Sequence, residues 1–167
     1  MKVFVIAATM LACGCSSDPS DLVIRFSTDL NVPTEADEIK LTAKYATVTD
    51  RFADVSWSID PADANAIDLP GRVRLIPNSG GVDHTIEIEL RALLRGSPVL
   101  DQQASLTMPS GGALLLEIAL GANCKQKSCP SGRTCVNGEC SAIARSHGAL
   151  PAWNESNAGE LQTFQLP

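Results

Sequence analysis

The chain has 167 residues, 44% of them apolar and 19% charged, the balance of a folded protein rather than a disordered one. Lys and Arg number 13 against 19 Asp and Glu, and the net charge of -6 excludes nucleic acid as an expected partner, because no basic surface exists to neutralise phosphates. No apolar run reaches the roughly 18 residues that a membrane-spanning helix needs.

The first residues read as an address. Met1-Lys2 supplies one positive charge, Val3 to Ala12 is apolar, and Leu11-Ala12-Cys13-Gly14-Cys15-Ser16-Ser17 brings small residues and cysteines. As a helix the apolar stretch covers about 15 Å, half of a hydrocarbon core, so residues 1–14 read as a cleaved secretory signal and not as an anchor. The segment resembles the lipobox of bacterial lipoproteins, in which small residues precede a cysteine that is lipidated and becomes the new N-terminus. Both Cys13 and Cys15 fit that pattern, although Met10 or Ala12 stands where it usually has Leu. Parity favours Cys15: Cys13 then leaves with the signal and four further cysteines remain, whereas lipidation of Cys13 orphans Cys15. Residues 15–20 become lipid anchor and tether, and the membrane becomes a partner through that lipid. Ser16 lacks the acidic side chain that resembles an inner-membrane retention signal, which points to the outer membrane. An ordinary secreted protein, cleaved nearby, is the alternative, and either reading exports the chain.

From residue 21 to residue 121, short apolar runs alternate with turn residues. Leu22 to Ser27 opens the series; Ile39, Leu41, Ala43 and Tyr45 then alternate with Lys40, Thr42 and Lys44. Val55, Trp57 and Ile59 alternate with serines until Asp60-Pro61 ends the run, since proline donates nothing to a ladder. Arg72 to Ile76 is a short candidate, and Thr85 to Leu90 a clear one. Beyond it, Leu93 and Leu94 also fit helical spacing, but Gly96 and Pro98 favour extended chain. Ala104 to Met108 and Leu114 to Leu120 complete seven strands. Their number and length are those of an immunoglobulin-like or transthyretin-like sandwich. Trp57 is expected as the large central side chain of that core, with Phe26, Tyr45 and Phe52; the functional alternative is a ligand-stacking aromatic. The region holds no cysteine, so burial alone must stabilise it.

Cys124, Cys129, Cys135 and Cys140 are spaced C-x4-C-x5-C-x4-C within residues 122–141. Val136 is the only other sizeable apolar side chain in that segment, so cross-links must offset the entropy of ordering it. Pro130, Gly132 and Asn137-Gly138 supply tight turns. Of three possible pairings, the preferred reading joins Cys124 to Cys135 and Cys129 to Cys140. A four-thiolate zinc site is the competing reading, but the close C-x2-C pairs typical of zinc are missing and an exported chain meets an oxidising compartment. The string Cys129-Pro-x-Gly-x-Thr-Cys135-x-x-Gly-x-Cys140 resembles the cysteine-rich segments of EGF-like and Dickkopf-type modules. With four cysteines rather than the six of EGF modules, it does not inherit their calcium binding. The whole order of lipobox, strand-rich domain and cysteine module is similar to that of myxobacterial lipoproteins, a resemblance that carries no activity with it.

Residues 142–167 show no sustained period and are expected as a flexible tail, with Trp153 either docked on the sandwich or part of a binding motif. Asn154-Glu155-Ser156 matches a glycosylation acceptor, which a bacterial signal deprives of meaning. His84 and His147 are the only histidines, and neither sits in a recognised catalytic motif. Glu35, Asp37 and Glu38, or Asp60 and Asp63, offer calcium-type oxygens, with solvated loops as the plainer explanation. Residues 19–121 carry 8 basic and 15 acidic groups, or -7, whereas residues 122–141 carry +2 and face an acidic partner better. The expectation is a non-catalytic envelope lipoprotein that needs no cofactor or metal and meets a protein or glycan partner. An envelope hydrolase using His84 or His147 is the rival.

Overall fold

The computed structural model describes residues 21–47, 51–76, 84–108, 112–154 and 162–165, and among these there is no α-helix. The expected lipidation sites Cys13 and Cys15, the signal and the tether lie outside the described residues. The strands are β1 (Leu22–Thr28), β2 (Glu38–Tyr45), β3 (Arg51–Ser58), β4 (Gly71–Ile76), β5 (Thr85–Leu94), β6 (Ser97–Thr107) and β7 (Leu114–Leu120), followed by β8 (Arg133–Val136), β9 (Glu139–Ala142) and β10 (Gln162–Gln165). One sheet runs β10-β4-β1-β7, a second runs β3-β2-β5-β6, and β8 and β9 form a separate hairpin.

Two-residue alternation does what the sequence implies: β2 reads buried at Ile39, Leu41, Ala43 and Tyr45, and β5 at Ile86, Ile88, Leu90 and Ala92. These side chains meet Leu22, Ile24 and Phe26 of β1, Val73 and Leu75 of β4, and Leu116, Ile118 and Leu120 of β7 in one apolar cluster, the core of a β-sandwich-like fold. β5 stays extended through Leu94, which removes the helical reading of Leu93 and Leu94. A two-residue turn with positive φ at both Arg95 and Gly96 carries it into β6. Asp37 fixes that turn by accepting the Arg95 N–H on both carboxylate oxygens, at 3.0 and 2.9 Å.

Four expectations need correction. An immunoglobulin constant domain places its first, second, fourth and fifth strands in one sheet. Here β2 and β5 lie with β3 and β6, while β1, β4 and β7 pair across the core, so the immunoglobulin split is not met. Trp57 is not the centre of the core: it is half-buried and stacked on Phe26, which is 1% exposed and takes the central place. The Phe52 side chain lies outside what is described. The cysteine segment is not a separate unit, because Cys124 and Cys135 belong to the same apolar cluster as the sandwich.

The fourth correction concerns residues 142–167, which are not a free tail where described. Ser105 of β6 donates its N–H to the Ile143 carbonyl at 2.8 Å and accepts from Arg145 N–H at 2.7 Å. Leu115 N–H donates to the Pro151 carbonyl and Trp153 N–H to the Ala113 carbonyl, at 2.9 and 2.8 Å. β10 then adds a parallel strand to β4, Gln162 to Gln165 against Val73 to Ile76. The physical reason is edge satisfaction: β6 and β7 end their sheets, and backbone groups left open there attract another stretch of chain.

Candidate functional site

The cysteine module is built from a 3-10 turn, Ala122–Cys124, and the β8–β9 hairpin. Asn137 and Gly138 both take positive φ, 51° and 83°, as a two-residue hairpin turn of the right twist requires. Cys124 is bonded to Cys135 and Cys129 to Cys140, each across a sequence separation of 11. The bridges differ in depth. Cys124 and Cys135 are 1% and 4% exposed, whereas Cys129 and Cys140 lie half-buried nearer the surface. The Gly138 N–H also reaches the Cys124 Sγ at 3.4 Å, which ties the hairpin turn to the buried bridge.

Three further contacts hold the module to the sandwich. Asp29 accepts the Ala122 N–H at 2.5 Å, and Lys125 Nζ pairs with Glu35 Oε1 at 2.8 Å. Buried Thr134 accepts the Gln103 N–H of β6 at 3.0 Å, so β8 stands over that sheet edge. The hydrogen bond from Lys125, then those from the Asn31 backbone and side chain, holds the Glu35 carboxyl down to about 2. Between module and β6 lies a groove of about 590 Å³, lined among others by Val99, Asp101, Lys127, Pro130, Arg133 and Thr134. Its rim carries the exposed cations Lys127 and Arg133, the module's excess of positive charge.

The remaining candidates take structural places. His84 lies against Tyr45, ring centroids 5.3 Å apart, and His147 is exposed in the 3-10 turn His147–Ala149. Neither donates to or accepts from a hydroxyl or carboxylate side chain among the described residues. The two acidic groups are brought together: Asp37, Glu38, Asp60 and Asp63 line one depression of about 340 Å³ with Arg95. Several of their oxygens are engaged there, Asp37 by Arg95 N–H, Asp60 by Ala62 N–H and Asp63 by Asn65 N–H, the last two at 2.9 Å. The Asn65 backbone hydrogen bond, chiefly, lowers the Asp63 pKa. Glu35 faces Lys125 instead. Among the described residues, no group of three or more His, Cys, Asp or Glu is placed to hold a metal ion.

Sequence reasoning did not anticipate one further cavity, about 590 Å³, between β3, β4 and β10. Phe26 and Trp57 form its aromatic wall at 5.2 Å between centroids and 26° between planes. Ile67 and Pro70 add apolar sides, and Asp68, Arg72 and Gln162 supply polar ones. Gln162 Oε1 accepts the Trp57 Nε1–H at 2.6 Å. Phe26 lies directly opposite Gly71 in the β1–β4 ladder, and its ring occupies the space a Cβ on Gly71 would need. The only signal for this in the sequence is a glycine at the start of a strand that faces an aromatic on its neighbour. Compared with protein-family models, with curated proteins and with solved structures, the chain finds no match.

Proposed function

We propose that this is an exported, lipid-anchored cell-envelope protein whose sandwich and disulfide module form one rigid, non-catalytic binding or structural unit. The observation that carries the reading is the Cys124–Cys135 bridge inside the main apolar cluster. A disulfide built into a core must form and persist during folding, which suits an oxidising compartment and not a thiol-reducing cytosol. The lipobox-like segment around Cys15 supplies the route, and Ser16 agrees with the outer membrane as destination. Of the two sandwich types the sequence suggests, we take the transthyretin-like one, since the immunoglobulin strand split is not met.

The fixed module favours a presenting role. It is joined to β6 through Thr134 and residues 143–145, so its cationic rim keeps one geometry relative to the sandwich. Fractionation of cells grown with a radiolabelled fatty acid tests the reading. The full chain should be labelled and sediment with membranes, and Cys15→Ser should release an unlabelled protein while Cys13→Ser does not. An unlabelled wild-type chain recovered from the cytosol overturns it.

A further inference from the structure

We propose that the cavity walled by Phe26 and Trp57 is a binding site for a neutral sugar ring, a reading that names a ligand class for the binding role above. Trp57 occupies an inward position of β3, opposite Ile39 in the ladder, yet it remains only half-buried. Its N–H is already satisfied by Gln162 and its ring already rests on Phe26. The apolar surface left over lines a cavity of about 590 Å³, a size typical of small-ligand sites. A tryptophan held by a stacking neighbour and a hydrogen bond loses little freedom when a ligand covers it.

The polar lining selects the ligand. Asp68 is exposed and accepts no hydrogen bond from the described residues, and Gln162 uses only its carbonyl oxygen, leaving an amide donor. Arg72 brings positive charge to the same cavity as the Asp68 carboxylate. A carboxylate and a guanidinium that line one cavity favour a neutral guest that both donates and accepts hydrogen bonds over a net anion or cation. A pyranose has that chemistry: one face of C–H groups for the indole, and hydroxyls round its edge for planar carboxylate, amide and guanidinium groups. A proline-rich peptide fits the aromatic wall but has few edge donors to meet Asp68.

Titration of the full chain, in detergent, with maltohexaose, cellohexaose and chitohexaose tests the site by tryptophan fluorescence. Trp57 and Trp153 are the only tryptophans, so Trp153→Phe isolates the reporter. At least one glycan should give a saturable change that survives Trp153→Phe, vanishes in Trp57→Ala and weakens about tenfold in Asp68→Ala, the loss of one charged hydrogen bond. Asp68 is exposed and needs no refolding of its surroundings, so it decides the matter if Trp57→Ala fails to fold. Saturation by none of the three glycans, saturation only by a proline-rich peptide, or an unchanged response in Asp68→Ala overturns the assignment. A labelled, membrane-bound chain that ignores all three glycans sinks this inference alone; a cytosolic chain sinks the export reading whatever it binds.

Discussion

The two disulfides should differ in what they contribute, and the difference reports whether the module belongs to the core. Each closes a loop of about a dozen residues, which in the chain-entropy model removes about 3 kcal/mol from the stability of the reduced form. Cys129→Ala with Cys140→Ala should cost about that much, since both side chains are half-buried. Cys124→Ala with Cys135→Ala also deletes two sulfur atoms from the packed cluster. At about 1 kcal/mol for each buried heavy atom and its cavity, that pair should cost about 5 kcal/mol. For a chain of this size, each kcal/mol lowers Tm by about 2–4 °C, so thermal unfolding should place the two double variants several degrees apart, the buried pair lower. Equal losses, or a larger loss for Cys129 and Cys140, would refute the claim that the module shares the sandwich core.

Gly71→Ala forces a Cβ into the Phe26 ring, which can yield only by leaving its stacked place on Trp57; denaturant unfolding should show a loss of about 1–3 kcal/mol, and a neutral result contradicts the packing. Tyr45 is the single tyrosine, and burial raises its pKa above 10.0, so phenolate absorbance should titrate later in the folded chain than in denaturant. Because the folded value is the raised one, its contribution to stability is whole below pH 10 and lost as pH climbs through that value. Glu35 runs the other way: lowered from 4.5 to about 2, it favours folding above pH 4.5 and loses that contribution as pH falls toward 2, a component that Glu35→Gln should remove from the acid limb of a Tm-against-pH curve.

The all-β class, the strand positions of β2, β4, β5 and β7 and the importance of the four C-terminal cysteines are legible in the sequence because period-two alternation and cysteine spacing are local signals. Strand order is not local: β1 pairs with β7 from the far end of the domain, and no side chain announces that. The first half of β6 is hidden because Gly96 and Pro98 read as breakers, although Pro98 is tolerated near the start of an edge strand. Alternation also tells which face a residue takes and not how deep it lies, which is why Trp57 reads as core and sits at the margin. Residues 143–153 dock through backbone hydrogen bonds to β6 and β7, contacts that leave no hydrophobic period to read. The Trp57 cavity escapes for a related reason, since its parts come from β1, β3, β4 and β10 and meet only in the folded chain.

Export with oxidised sulfur is the claim on which the rest stands, and mass spectrometry of the protein recovered from cells, mapped with and without reduction, addresses it directly. The account predicts a lipid-modified N-terminus at Cys15 and bridged peptides joining Cys124 to Cys135 and Cys129 to Cys140. A chain that begins at Met1 and carries Cys124, Cys129, Cys135 and Cys140 as free thiols would contradict it.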